Sequence, residues 1–254
     1  MRYVLLIAYD GTHFAGSQRQ KNGRTVQGEL ERAAARSGSF SRTALCGRTD
    51  AGVHAAAQVG TLDGETPVPA HKLAAVLNMH LPPDVKVLKS AAAPEGFDCT
   101  RAARKKTYCY RFYTSPVAHP LLSRYAARLD GTPDMGAMRA AAKLLEGEHD
   151  FAAFRATGSS AKTTVRTLYE VRVDAMTVYG VPMYEVRVTG NGFLYNMVRI
   201  LAGEIYAVGC TPARADDIGR AFLTGERSLL FRTLPPEGLT LERVEYEIPL
   251  FEGE

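Results

Sequence analysis

The sequence predicts an α+β protein of two domains with mostly antiparallel sheets. Three observations predict it. Runs rich in β-branched and aromatic residues alternate with capped segments of helical period in both halves of the chain. Some of these strands are joined through helices and others by hairpins, which argues against a doubly wound parallel sheet. The 254 residues, 46% of them hydrophobic, are enough for one large core or two ordinary ones.

The elements follow in order. Arg2 to Tyr9 is a strand by its Val, Leu and Ile content, closed by the turn Asp10-Gly11. A polar segment, GTHFAGSQRQKNGR, leads to a helix from Thr25 to Arg36. Thr25 is its N-cap, Val26, Leu30, Ala33 and Ala34 share a face, and Gly38 ends it. Two strands, Arg42 to Cys46 and Ala56 to Leu62, flank the connection CGRTDAGVH. A second helix is expected over Pro69 to Met79 and a strand over Asp84 to Lys89. Another strand starts at Lys105, where the period of two places Tyr108, Tyr110 and Phe112 on one face.

The pattern then restarts with a helix from Pro133 to Leu145, read with Thr132 as N-cap and Gly147 beyond its end. Val165 to Val178 and Met183 to Thr189 form a hairpin around Tyr179-Gly180. The segment GFLYNMVRILAGEIYAVG, from Gly192, reads as helix, followed by a short helix over Ala215 to Thr224 and a final strand over Leu239 to Ile248. The domain boundary falls between Ala103 and Pro120, giving domains over 1–105 and 106–254.

Composition excludes several classes. The four cysteines are scattered with no Cys-x-x-Cys pair, which points to neither a zinc site nor a disulfide framework and fits a reducing cytoplasm. The N-terminal apolar stretch, Val4 to Ala8, is too short for a signal sequence or a membrane span. A net charge of +4, carried mostly by arginine, is compatible with a phosphate-rich partner.

Chemistry concentrates in three places. In CGRTDAGVH, Gly47 and Gly52 fence Arg48 and Asp50 on a turn at a strand end, where side chains face a cleft more often than a core. Arg48 and Asp50 are either a surface ion pair, worth about 0–1 kcal/mol, or part of a site in which a guanidinium keeps the carboxylate ionised. An ionised carboxylate suits a nucleophile or a general base. No second carboxylate stands nearby for a glycosidase pair or a hard metal ion. His54, four residues on, reads as structural, since no serine or cysteine nucleophile in a recognisable setting accompanies it.

The second place is ARKKTYCYRFY, residues 103–113, which interleaves basic residues with rings in the mixture that neutralises phosphates and stacks bases. Most of these residues also fit a strand with an aromatic core face and a solvated basic face. Tyr108, at the edge of the run, is the candidate for stacking. The third is GNGFLYNMVRILAG, residues 190–203, where Arg199 stands in so apolar a setting that it calls for an anionic partner.

These residues resemble a known family. GRTDAGVHA, with YDG and G-x-QRQ near the start and GFLYNMVR late in the chain, is similar to the tRNA pseudouridine synthase A family, with matches from about Tyr9 to Leu239. The resemblance implies an isomerase that converts uridine to pseudouridine at positions 38, 39 and 40 of the tRNA anticodon stem-loop. It implies no cofactor, no metal, and a cytoplasmic homodimer with the tRNA across both subunits. By motif, Asp50 is the catalytic aspartate and Arg48 the arginine that displaces the target base. Tyr108 is the tyrosine that packs on the uracil, and Arg199 the partner of the catalytic carboxylate. The fold class becomes two ferredoxin-like, RNP-like α+β domains around a central basic cleft, 1–105 carrying the aspartate and 106–254 completing the cleft. The rival is a catalytically silent RNA-binding protein on the same scaffold; a hydrolase releasing free uracil is a third reading.

Two departures from the family pattern stand out. Ser17 occupies a position that is usually tryptophan, and FRTLPPEGL, from Phe231, replaces a run of small residues. Ser17 is expected to alter packing or an RNA contact, not the chemical step.

Overall fold

The computed structural model describes residues 1–158 and 161–251. The chain forms two compact units, one of Met1–Lys105 with the stretch that begins at Thr240, the other of Lys106–Leu239.

In the first unit β1 (Arg2–Tyr9) lies antiparallel between β4 (Val85–Ala92) and β3 (His54–Glu65). The 12-residue β3 is long enough to carry two strands on its other edge. β2 (Ser39–Leu45) runs antiparallel along Gly60 to Glu65, and β10 (Leu239–Glu245) pairs in parallel at His54 and Ala55. The C-terminal strand, expected with 106–254, therefore belongs to the first unit. Leu239 and Leu241 are buried, and Leu250 and Phe251 pack with Val4, Cys46, Val59, Phe97 and Cys99. Apolar side chains and a parallel ladder bring the chain end back.

Helix α1 (Val26–Ala34) has the expected cap, the Thr25 hydroxyl accepting from the Gly28 N–H at 3.2 Å, and buries Val26, Leu30, Ala33 and Ala34. Helix α2 (Leu73–Asn78) is shorter than its apolar pattern, because its first turn is a 3-10 turn over Ala70–Lys72. At its end the Asn78 amide brackets Val87 of β4, donating to Val87 O at 2.7 Å and accepting from Val87 N–H at 2.9 Å. Arg24 ties the polar segment before α1 to the start of β4. Its guanidinium forks onto Asp84 at 2.6 and 2.8 Å, reaches Glu29 at 2.5 Å, and lies 4.3 Å from the Phe14 ring centre.

In the second unit the strands run β5 (Lys105–Thr114), β9 (Val181–Gly190), β8 (Val165–Val178) and β7 (Gly147–Asp150), each pair antiparallel. A short β6 (Ala127–Leu129) lies parallel on the other edge of β5. The β8–β9 hairpin is as read: Val178 pairs with Val181, and Tyr179 and Gly180 have φ of 50° and 76°, the signature of a type I′ turn. Tyr108, Tyr110 and Phe112 stand opposite Val188, Val186 and Tyr184 on one face. The other face of β5 is not simply solvated, since Cys109 and Tyr113 are fully buried and Arg111 is held by Glu185 at 2.6 Å.

Three helices cover this sheet: α3 (Met135–Leu144), α4 (Met197–Cys210) and α5 (Ala215–Thr224). The cap of α3 is Asp134, not Thr132. Pro133 intervenes, and the Asp134 carboxylate accepts from the Ala137 N–H at 2.7 Å. Helix α4 begins at Met197, not Gly192, because Asn196 adopts φ 60°, a left-handed conformation that cannot continue a helix.

The Arg24 guanidinium holds the Asp84 carboxyl below its ordinary value of 3.8. A depressed carboxylate contributes stability that is complete above its unfolded pKa and is lost as pH falls through the lower folded value. Asp84→Asn is therefore expected to be less stable than the wild type at neutral pH, with the two converging in acid. Denaturant melts at stepped pH check this, and a difference constant with pH contradicts it.

Candidate active site

The motif CGRTDAGVH occupies the connection between β2 and β3. Arg48 is exposed, Thr49 buried and Asp50 half-buried, so a buried residue separates the two charged ones. Outside the sheet ladder, the backbone of this loop needs other partners. Gly47 O accepts from the Gln58 side-chain amide at 2.9 Å, and Gly52 N–H donates to Phe14 O at 3.4 Å. Val53 N–H closes the turn on Asp50 O at 3.1 Å. The Thr49 hydroxyl lies 2.7 Å from the Tyr9 hydroxyl. Burial pushes the Tyr9 phenol up, against the pull of its hydrogen bonds to Thr49, Gln58 and Ser17.

The segment after β1 lies close against this loop. A Cβ on Gly11 would stand 2.0 Å from Val53 O, so only glycine allows the approach. Gly11 N–H donates to His54 Nδ1 at 3.0 Å. That main-chain group can only donate, so Nδ1 is the acceptor and its 3.2 Å approach to Asp10 is a contact of the neutral ring. His54, 3% exposed, thus pins the Asp10-Gly11 turn, as its structural reading expects.

Tyr108 and Arg199 belong to the second unit. Tyr108, on β5, is 7% exposed and meets Phe193 edge-on, ring centres 5.1 Å apart. Arg199 lies in the first turn of α4. Its Nε donates to Leu234 O at 2.7 Å and its Nη1 to Asn196 Oδ1 at 2.6 Å. The left-handed Asn196 both starts the helix and orients the arginine. Leu234 N–H returns a bond to Arg199 O at 3.4 Å. The departing segment from Phe231 is therefore a strap along α4. It is fastened by Glu204, fully buried, whose Oε2 accepts from Phe231 N–H at 2.6 Å and pairs with Arg214 at 3.3 Å.

Several residues of these surroundings escaped the sequence reading: Tyr9 and Gln58 behind the loop, Phe193 beside Tyr108, and Asn196 and Glu204 around Arg199. Only Asn196, a residue tolerant of left-handed backbone just before an apolar run, carried a usable signal. Among the described residues no group of three or more His, Cys, Asp or Glu is placed to hold a metal ion, and no helix is long and apolar enough to cross a membrane.

A family model described as tRNA pseudouridine synthase matches residues 5–100 and 141–247. Curated relatives named tRNA pseudouridine synthase A align over almost the whole length of both chains. That of Syntrophotalea carbinolica is 41% identical over 245 residues, 95% of each chain. That of Geobacillus kaustophilus is 39% identical, covering 97% of this chain and 95% of its own. That of Acetivibrio thermocellus is 38% identical, covering 97% and 100%. A solved Cbf5-Nop10-Gar1 complex superposes over 94% of this chain and 49% of its own with a TM-score of 0.39 and 10% identity, too loose to bear on the fold. The chain belongs to the tRNA pseudouridine synthase family.

Removing the buried carboxylate should loosen the strap. Glu204→Ala leaves the Phe231 N–H without its acceptor and is expected to cost about 1–3 kcal/mol of stability. Glu204→Gln, which keeps a carbonyl acceptor, should cost less. Denaturant unfolding of both variants checks the order.

Proposed function

We propose that this protein isomerises uridine to pseudouridine at positions 38, 39 and 40 of the tRNA anticodon stem-loop, with Asp50 as the catalytic carboxylate. The observation that carries this reading is Asp50's position. It is half-buried on a loop pinned from behind, beside an exposed Arg48, in a chain of this family.

The target uridine has to leave the helical stack before its glycosidic bond can be reached. Arg48, exposed two residues from Asp50, is assigned the displacement of that base. The N1–C1′ bond then breaks, the uracil turns, and C5 bonds to C1′. The proton lost from C5 balances the one gained at N1, so no water or cofactor is consumed. An ionised Asp50 serves either as nucleophile or as the base that removes a sugar proton. Tyr108 is assigned to pack on the uracil and Arg199 to pair with the carboxylate. A dry, aromatic surrounding keeps the detached uracil from escaping. We assign the enzyme to the cytoplasm and to a homodimer with tRNA across both subunits; doubling the single chain's charge of +4 favours approach of a polyanion.

The test is pseudouridine formation on unmodified tRNA. Asp50→Ala is expected to lower the rate by about 10⁴-fold while tRNA binding persists. Binding without turnover in the folded wild type would make the protein a silent RNA binder, and free uracil in the chromatogram a hydrolase. Activity surviving in Asp50→Ala would remove the aspartate from the mechanism.

Tyr108→Phe keeps the ring and loses the hydroxyl. Binding is expected to change little; a collapse of turnover would show that the hydroxyl takes part in the chemistry.

A further inference from the structure

Ser17 is wholly buried, and a buried hydroxyl needs partners. Besides its hydrogen bond with the Tyr9 phenol, its partner lies 32 residues away, the residue between Arg48 and Asp50. Thr49 N–H donates to Ser17 Oγ at 2.9 Å, and Ser17 N–H donates to Thr49 O at 3.0 Å. The hydroxyl can turn its own proton toward Thr49 O, but at 3.4 Å that bond is weak. Both faces of the Thr49 main chain are thus satisfied by one residue. Ser17 is itself anchored, because its carbonyl accepts from Gln27 N–H in the first turn of α1 at 2.9 Å.

The neighbouring backbone makes this contact possible. Gly16 has φ +108°, and a Cβ there would stand 3.1 Å from Thr49 O and 3.6 Å from the Asp50 carbonyl carbon. Residues 16 and 17 therefore lie flat against the main chain of 49 and 50. Complete burial removes Ser17 from the surface, so the expectation of an RNA contact at this position gives way to a role inside the loop.

We infer that Ser17 is a positioning residue for the isomerisation: its hydroxyl and main chain lock Thr49, and that lock fixes where the Asp50 carboxylate stands. The inference rests on Asp50 as the catalytic carboxylate. Ser17 acts through Thr49 and touches no reacting atom.

The experiment compares Ser17→Ala and Ser17→Cys with the wild type, in full-length protein. In Ser17→Ala the Thr49 amide loses its acceptor, so its hydrogen exchange is expected to speed at least about tenfold. The Cys46 amide, bonded to Val59 O at 2.8 Å, should keep its protection. Single-turnover pseudouridine formation is expected to fall about 10- to 100-fold while the Kd for tRNA stays within about twofold, as misplacement of a reacting group predicts. Cysteine, which keeps a weak acceptor, should restore part of the rate. A merely structural serine would lower the melting temperature and quicken both amides together, with the rate per folded molecule unchanged; that result overturns the inference. So does an unaltered Thr49 exchange. If Asp50→Ala stays active, the catalyst is misassigned and the positioning role falls with it, while the exchange data still report the clamp. An enzyme that needs Asp50 and turns over at the wild-type rate without the Ser17 hydroxyl overturns the positioning role alone.

Discussion

The loop that carries Asp50 lies outside the sheet ladder, and its backbone groups need partners from elsewhere. That constraint organises the first unit. The connection from Gly47 to Val53 takes them from Ser17, Gln58 and Phe14, and Thr49 adds a side-chain bond to Tyr9. Each bond is worth about 0.5–1.5 kcal/mol net, so none suffices alone. Their strength lies in coming from separate segments that β1 and β3 hold in register. Tyr9 reaches Thr49 from the last position of β1, just past the irregularity between Ile7 and Tyr9, where an altered register re-aims a strand's side chain.

The second unit meets a related problem with an arginine. In an apolar helix Arg199 calls for compensation, and an anionic partner is the natural expectation. Within this unit it donates to two neutral oxygens, the carbonyl of Leu234 and the amide of Asn196. These fix the direction of the guanidinium. The only fully buried carboxylate on α4, Glu204, is spent one turn further along, on the strap that carries Leu234. The segment from Phe231 thus has a local reason for its course.

Local rules read the elements well wherever the determinants were local. β1, α5, Thr25 as a cap and the Tyr179-Gly180 turn follow from periodicity and from residues next to one another. Helix starts failed where two cap candidates competed, as at Thr132 and Asp134, or where apolar residues preceded a left-handed Asn196. The return of β10 to β3 joins residues almost 190 apart in sequence, and no window of sequence contains it. The short polar β7, GEHD, has no strand pattern and exists because β8 offers an edge. In the site, Arg48 and Asp50 were visible because glycines fence two charges. Gln58 and Tyr9 were not, being ordinary residues whose meaning lies in a partner distant in sequence, and Ser17 stood out only against the family pattern, its bond to Thr49 unread.

The inward Thr49 also answers why two charges stand so close together. If Arg48 and Asp50 existed to neutralise each other, a buried residue clamped between them would serve no purpose, since a surface pair tolerates any spacer. With Thr49 buried and fastened on both sides of its main chain, the exposed Arg48 and the half-buried Asp50 are anchored through the residue between them. Under the proposed function, a single displaced base meets a cation and a carboxylate on either side of Thr49, and the rigidity of that middle residue is the condition for both.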